Sequence, residues 1–245
     1  MTFPAVPIDS IPAVTTEQMI EVDRLMVDAY RIELIQMMEN AGRSLARLAA
    51  NRSLNADPGA HRVTVLAGRG GNGGGAIVAA RRLHAWGAAV QIVISANEDD
   101  FSGVPHHQLD VASRIGIPIC TGEASFDSSD LIIDGLIGYS LRGAPRGRAA
   151  ELIDQANASQ ASVLSLDVPS GIDGGTGDIH EPSIRAAATM TLALPKTGLL
   201  RDEVQEQLGA FFLADISVPI ELYQQMGLQV SGSLFAESDI VQLVS

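Results

Sequence analysis

Six of the eight residues from Gly68 to Gly75 are glycine, and they follow directly on the apolar run Val63-Thr64-Val65-Leu66-Ala67. Glycine enters φ > 0 without penalty and lets a backbone come within hydrogen-bonding reach of a ligand. Glycines between a strand and a helix commonly mark an anion site, because exposed amides and the helix dipole both favour phosphate. Ile77, Ala80, Arg81 and His84 recur at one-turn spacing behind the loop and predict that helix. The expected ligand is a phosphorylated small molecule. Gly68, Gly70 and Gly73 also satisfy G-x-G-x-x-G, but a tight strand-to-helix turn without a ligand satisfies it too. A dehydrogenase needs, in addition, an acid at the end of the second strand for the ribose hydroxyls. That strand is Val90–Ile94, and its acids, Glu98, Asp99 and Asp100, come late and read equally well as a solvated loop.

The 245 residues, 46% hydrophobic and only 18% charged, have room for one large α/β domain over 1–245. A formal charge of −13 without a Lys/Arg run argues against general binding to nucleic acid or anionic membrane. The single cysteine, Cys120, forms no intrachain disulfide and follows Ile117-Pro118-Ile119, which reads as a short buried strand. The first residues lack the basic and apolar regions of a signal peptide, and no apolar run approaches the ~20 residues of a membrane span. A soluble, cytoplasmic protein is expected.

Thr15 and Gln18 form a capping-box pattern that opens a helix through Met19, Val22, Met26 and Tyr30. A second helix is predicted from about 33 to 51, so a helical segment at 15–52 should pack on the domain. Strand patterns then fall near 62–67, 89–94, 117–120, 130–134, 161–167, 188–194 and 210–216. Helices are predicted near 73–86, 105–115, 148–158, 218–226 and 236–243. Continuous apolar strands separated by helices indicate a mostly parallel sheet covered on both faces, a three-layer α/β/α, Rossmann-like sandwich. In such sheets ligands sit beyond the carboxyl ends of the strands.

Four strand ends carry polar or glycine-rich sequence: the loop above, Asp134 with Gly135–Gly143, Asp167-Val168-Pro169-Ser170-Gly171, and Leu194-Pro195-Lys196-Thr197-Gly198. One acid at a strand end can be a cap or an ion-pair partner. Several together make a site.

Met38-Glu39-Asn40-Ala41-Gly42, the Asp167–Gly171 element, Leu194–Leu199 and Ala214-Asp215-Ile216-Ser217-Val218-Pro219 come in the order seen in the NAD(P)H-hydrate epimerases, the YjeF-type N-terminal domain. The chain resembles that family over almost its whole length. The resemblance implies a homodimeric isomerase of metabolite repair that interconverts the R and S forms of NADH or NADPH hydroxylated at C6. A separate dehydratase then acts on the S form. It implies Asp167 as the proton-handling acid and a potassium ion on Asn72, Asp134 and Ser170, all hard oxygen donors. It implies substrate contacts from Gly71, Asn72, Gly73, Gly74 and Gly75, from Gly138, Tyr139, Ser140, Leu141, Arg142, Gly143 and Ala144, and from Asp167 and Lys196. Backbone amides of 138–144 would cradle the pyrophosphate, with Arg142 either adding charge or standing as a surface arginine.

The first loop departs from the family's G-N-N-G-G-D-G: Gly71 stands for its first asparagine, Gly75 for its aspartate and Ala76 for its last glycine. An active epimerase and a nucleotide-binding or protein-interaction module that kept the fold without the chemistry both remain open on the sequence. A redox enzyme rests on G-x-G-x-x-G alone and comes last.

Overall fold

A computed structural model describes residues 2–122, 125–126 and 128–244. Nine strands form one sheet: β1 (Ala5–Pro7), β2 (Arg62–Ala67), β3 (Ala89–Ile94), β4 (Ile119–Cys120), β5 (Leu131–Gly135), β6 (Ser162–Leu166), β7 (Ala188–Leu192), β8 (Ala210–Ala214) and β9 (Ile240–Val244). Their spatial order is β1-β9-β8-β7-β6-β5-β2-β3-β4. Every pairing is parallel except β8 with β9. The helices are α1 (Thr16–Asp28), α2 (Leu34–Leu48), α3 (Gly71–Ala85), α4 (Gly103–Arg114), α5 (Gly147–Ala158) and the short α6 (Gln205–Leu208) and α7 (Ile220–Gln225).

The alternation along each strand divides its side chains between two cores. On β5, Leu131 and Ile133 join Leu45 of α2 and Ile77 of α3, whereas Ile132 points to Leu152 and Ile153 of α5. Both faces are therefore covered, which is why the parallel strands read as unbroken apolar runs. From β2 the chain winds outward through α3, β3 and α4 to β4, then returns to place β5 on the other side of β2. The strand order reverses between β2 and β5, and the crevice at their carboxyl ends is where a sheet of this kind takes a ligand.

The capping box at Thr15 and Gln18 forms as expected. The C-terminal expectation does not hold: part of 236–243 is strand β9, not helix. A short apolar run such as Ile240-Val241-Gln242-Leu243-Val244 has no decisive period, and its β-branched residues cover β8, which otherwise ends the sheet. Strand β1, three residues ending in proline, escaped the sequence analysis and sits at the edge, where proline is tolerated. Cys120 is half-buried rather than buried, packed against the α5 side of the sheet. No helix among the described residues is long and apolar enough to cross a membrane.

Helix α3 begins at Gly71, and four of its first five residues are glycine, each costing about 1 kcal/mol relative to alanine in a helix. Packing compels part of that composition. A Cβ on Gly73 would lie 1.7 Å from the Gly68 carbonyl oxygen, and one on Gly74 would lie 2.7 Å from Met38 Sδ of α2. Some of the glycine signal therefore comes from close helix and loop packing, not from ligand approach.

Candidate active site

The loops after β2 and β5 meet at the reversal of strand order. Gly68 N–H donates to the Gly135 carbonyl at 3.1 Å, and a Cβ on Gly68 would lie 1.9 Å from the Leu136 carbonyl oxygen. A cavity of about 590 Å³ opens over this contact. Its wall includes Gly71, Asn72, Gly75, Gly138, Tyr139, Ser140 and Asp167 from the sequence-predicted set. Gly73 and Gly74 are buried in α3 behind that wall. Leu141, Arg142, Gly143 and Ala144 run on past it, with Arg142 exposed. Asp134, Ser170 and Lys196 are fully buried and do not line it. The N-cap of α3 is Gly70, which offers no side chain to the first-turn amides.

Asp167 follows the last residue of β6 with φ = 66°, a left-handed conformation that aspartate tolerates better than most residues. Its N–H is held by the Met190 carbonyl at 2.7 Å. Oδ1 accepts from the Lys196 ammonium, from Thr191 Oγ1 at 3.3 Å and from Leu192 N–H at 3.3 Å. Among the described residues Oδ2 accepts only from Tyr139 N–H, at 3.3 Å. Lys196 uses its remaining donors on Thr191 Oγ1 at 3.2 Å and the Leu192 carbonyl at 2.9 Å. All three ammonium hydrogens are thus engaged, and Lys196 fixes Asp167 from behind rather than reaching the cavity.

Asp134, the next-to-last residue of β5, is in a different state. Oδ1 accepts from Ser170 Oγ at 2.6 Å and Leu136 N–H at 3.2 Å; Oδ2 accepts from Ser165 Oγ and Ser170 N–H, both at 2.9 Å. Burial pushes its carboxyl above the usual range, and these hydrogen bonds oppose the rise. Ser170 Oγ also accepts from Ile137 N–H at 2.9 Å, tying the β5 loop to the turn after Asp167. Asn72 Nδ2 donates to the Leu166 carbonyl at 3.1 Å, so the first loop is anchored to the strand that carries Asp167.

Sequence reasoning missed the contribution of α1 and α2. Asp23, Met37 and Met38 line the cavity. Tyr139 Oη donates to Asp23 Oδ2 at 2.5 Å. Burial raises the Asp23 carboxyl above its ordinary range, and burial with the neighbouring Asp23 charge raises the Tyr139 phenol. A signal was available: Asp23 lies four residues after Met19 and three before Met26, an acid on the buried stripe of an amphipathic helix.

A family described as YjeF-related protein N-terminus matches residues 34–198, the stretch from the start of α2 to the segment that supplies Lys196. The chain belongs to this family. It is similar to the NAD(P)H-hydrate epimerase of Dehalogenimonas lykanthroporepellens, 41% identical over 242 residues covering 96% of this chain and 94% of that one. The NAD(P)H-hydrate epimerase of Rhodopirellula baltica is 34% identical over 227 residues, 91% of each chain. The bifunctional NAD(P)H-hydrate repair enzyme Nnr of Moorella thermoacetica is 31% identical over 85% of this chain, which spans 41% of that protein. In three dimensions the crystal structure of yeast ynu0 matches with a TM-score of 0.80 at 22% identity, covering 95% of this chain and all of the yeast chain, a likeness of fold.

Proposed function

We infer that this chain is an NAD(P)H-hydrate epimerase, interconverting the R and S forms of C6-hydroxylated NADH or NADPH. The named relatives support the substrate class, and they match it along nearly their whole length. The observation that carries the chemistry is Asp167: a carboxylate on the wall of the switch-point cavity, with Oδ1 saturated by Lys196, Thr191 and Leu192 and Oδ2 accepting a single hydrogen bond. Oδ2 therefore keeps acceptor capacity for a substrate proton.

C6 of the substrate is a hemiaminal carbon beside the ring nitrogen. Its hydroxyl can leave as the nitrogen lone pair forms an iminium, or the ring can open to an aldehyde and reclose. Both routes move a proton at the hydroxyl oxygen, which Asp167 Oδ2 is placed to do. The uncapped amides of α3 and the backbone of the 138–140 loop suit the pyrophosphate. The retained cavity and acid speak for the enzyme over a binding module without chemistry. Gly75 is the feature that favours the module, since it lacks the family's loop acid; a Cβ there would lie 3.0 Å from Leu166 Cδ2 and 3.9 Å from Ala41 Cβ.

Potassium is part of the proposal. Asn72, Asp134 and Ser170 offer amide, carboxylate and hydroxyl oxygens, a donor set that suits a hard monovalent ion. Among the described residues no hydrogen bond engages Asn72 Oδ1. Asp134 and Ser170 bond to each other, so both would ligate only with the Ser170 hydroxyl turned away from Asp134. Such an ion would supply positive charge beside the phosphate loops. A homodimer, a cytoplasmic setting and a separate dehydratase partner rest on the family likeness, with the bifunctional relative supporting the last. The test of function is time-resolved separation of the two epimers. Purified protein should accelerate exchange well above the spontaneous rate, and an unchanged rate would leave only a binding module.

A further inference from the structure

Asp23 lines the same cavity as Asp167, and a single residue joins them. Tyr139 N–H donates to Asp167 Oδ2 at 3.3 Å while its hydroxyl donates to Asp23 Oδ2 at 2.5 Å, placing the two carboxyls at opposite ends of one tyrosine. Lys196 Nζ lies 5.8 Å from the centroid of the same ring. The other inward residues of α1 are apolar (Met19, Val22, Leu25 and Met26). A half-buried carboxyl in that stripe gives up part of its hydration for one hydrogen bond among the described residues, an arrangement that stability alone does not favour. The chain before α1 is pinned to the Lys196 segment by Val14, whose N–H donates to the Pro195 carbonyl and whose carbonyl accepts from Thr197 N–H, both at 2.9 Å. Asp23 is therefore held against the site by the segment that carries the Asp167 partner.

Building on the epimerase reading, we propose that Asp23 is the second proton-transfer group of the reaction. It protonates the departing C6 hydroxyl of one epimer, while Asp167 takes the proton of the water that adds to the opposite face. The C6–O bond breaks with its electron pair on oxygen, which accepts the Asp23 proton and departs as water. The N1 lone pair closes an N1=C6 double bond. A water oxygen then bonds to C6 from the other side, its proton passes to Asp167, and the π pair returns to N1. Asp23 has lost one proton and Asp167 has gained one; water in the cavity they share returns the proton to Asp23 for the next turnover, and the opposite epimer reacts through the same groups with their roles exchanged. Glycosidases likewise place two carboxyls about a breaking C–O bond, one as acid and one as base for the incoming water.

The environment of Asp23 suits an acid. Burial favours its neutral form, the Tyr139 hydroxyl and the Lys196 charge oppose this, and the Asp167 charge adds to it. These are the groups acting on it from the loops after β5, β7 and β6.

The test measures epimer exchange against pH in ¹⁸O-labelled water for the wild type, Asp23→Asn and Tyr139→Phe, with dinucleotide affinity measured alongside. Asp23→Asn should lower kcat by ~10²-fold, leave affinity within about twofold and lose the alkaline limb of the profile, with Asp23→Glu restoring part of the rate. Tyr139→Phe removes a hydrogen bond that favours ionised Asp23, so its alkaline limb should move to higher pH. Each wild-type exchange should carry one solvent oxygen into the product. Wild-type kcat in Asp23→Asn, an alkaline limb unmoved in both variants, or retention of the original oxygen would overturn the proposal. An inactive wild type would overturn the epimerase reading itself, a result distinct from an active wild type indifferent to Asp23.

Discussion

Asp134 lies one residue before the end of β5 and Asp167 just after β6, neighbouring parallel strands of one sheet, and both are buried. Each accepts four hydrogen bonds, and their surroundings differ in how those donors are spread. Asp134 receives two donors on each oxygen, all from the protein, and lies under the loops. Asp167 receives three on Oδ1 and one on Oδ2, and faces the cavity. The first carboxylate shapes the loops and the second remains able to take a proton. Neither burial nor the number of donors separates a structural acid from a reactive one; the spread of donors over the two oxygens and the access to a cavity do.

The comparison breaks most readily at Asp134. Asp134→Ala strands the Ser165 hydroxyl and the Ser170 and Leu136 N–H groups, so unfolding in urea should show a loss of about 4 kcal/mol. A near-neutral result would mean that the hub does not hold the loops together.

Gly138→Val tests the cavity side. A Cβ at 138 would lie 3.2–3.4 Å from the Asn72 side-chain atoms, so the substitution should displace Asn72 from its contact with Leu166 while sparing the core. Calorimetry should show dinucleotide affinity reduced ~10-fold or more, about 1.4 kcal/mol, with little change in melting temperature. Unchanged affinity would remove this loop from the binding site.

A smaller effect separates Asp23 from a purely structural acid. Its folded-state carboxyl is raised, so the folded protein holds that proton more tightly than the unfolded chain does. The associated stability is complete below the ordinary carboxylate value of about 3.9 and is lost as pH rises through the higher folded value. Asp23→Asn escapes that loss and should melt on the order of 2 °C above wild type at neutral pH, the gap closing as pH falls toward 4. A lower melting temperature at neutral pH would show Asp23 to be a stabilising member of α1. Lower activity with higher stability is the signature of a group kept for function.

The sequence carried the fold as far as its periodicities did. Unbroken apolar runs identified the buried parallel strands, and glycine loops with acids behind them located the carboxyl edge of β2, β5 and β6. Asp167 was legible because a strand-end acid coincided with a family motif. Strand β9 was not, since four apolar residues around one glutamine suit either period and only the uncovered edge of β8 decides. Lys196 was legible as a motif residue, yet its place behind Asp167 depends on a backbone turn at 192–196 that composition does not encode. Asp23 went unnoticed because it comes from a helix 116 residues before Tyr139, the residue that brings it into the site.

The proposed role of Asp167 as the proton carrier of an epimerase is tested most directly by exchange between separated epimers in Asp167→Asn. The amide keeps the size but cannot cycle a proton, and it leaves the Lys196 charge without its partner. The Asp167→Asn, Lys196→Met double variant therefore serves as the control for folding. Exchange should fall by ~10²-fold or more in both variants, while the double variant recovers stability and dinucleotide binding. Exchange at the wild-type rate in Asp167→Asn would contradict the account.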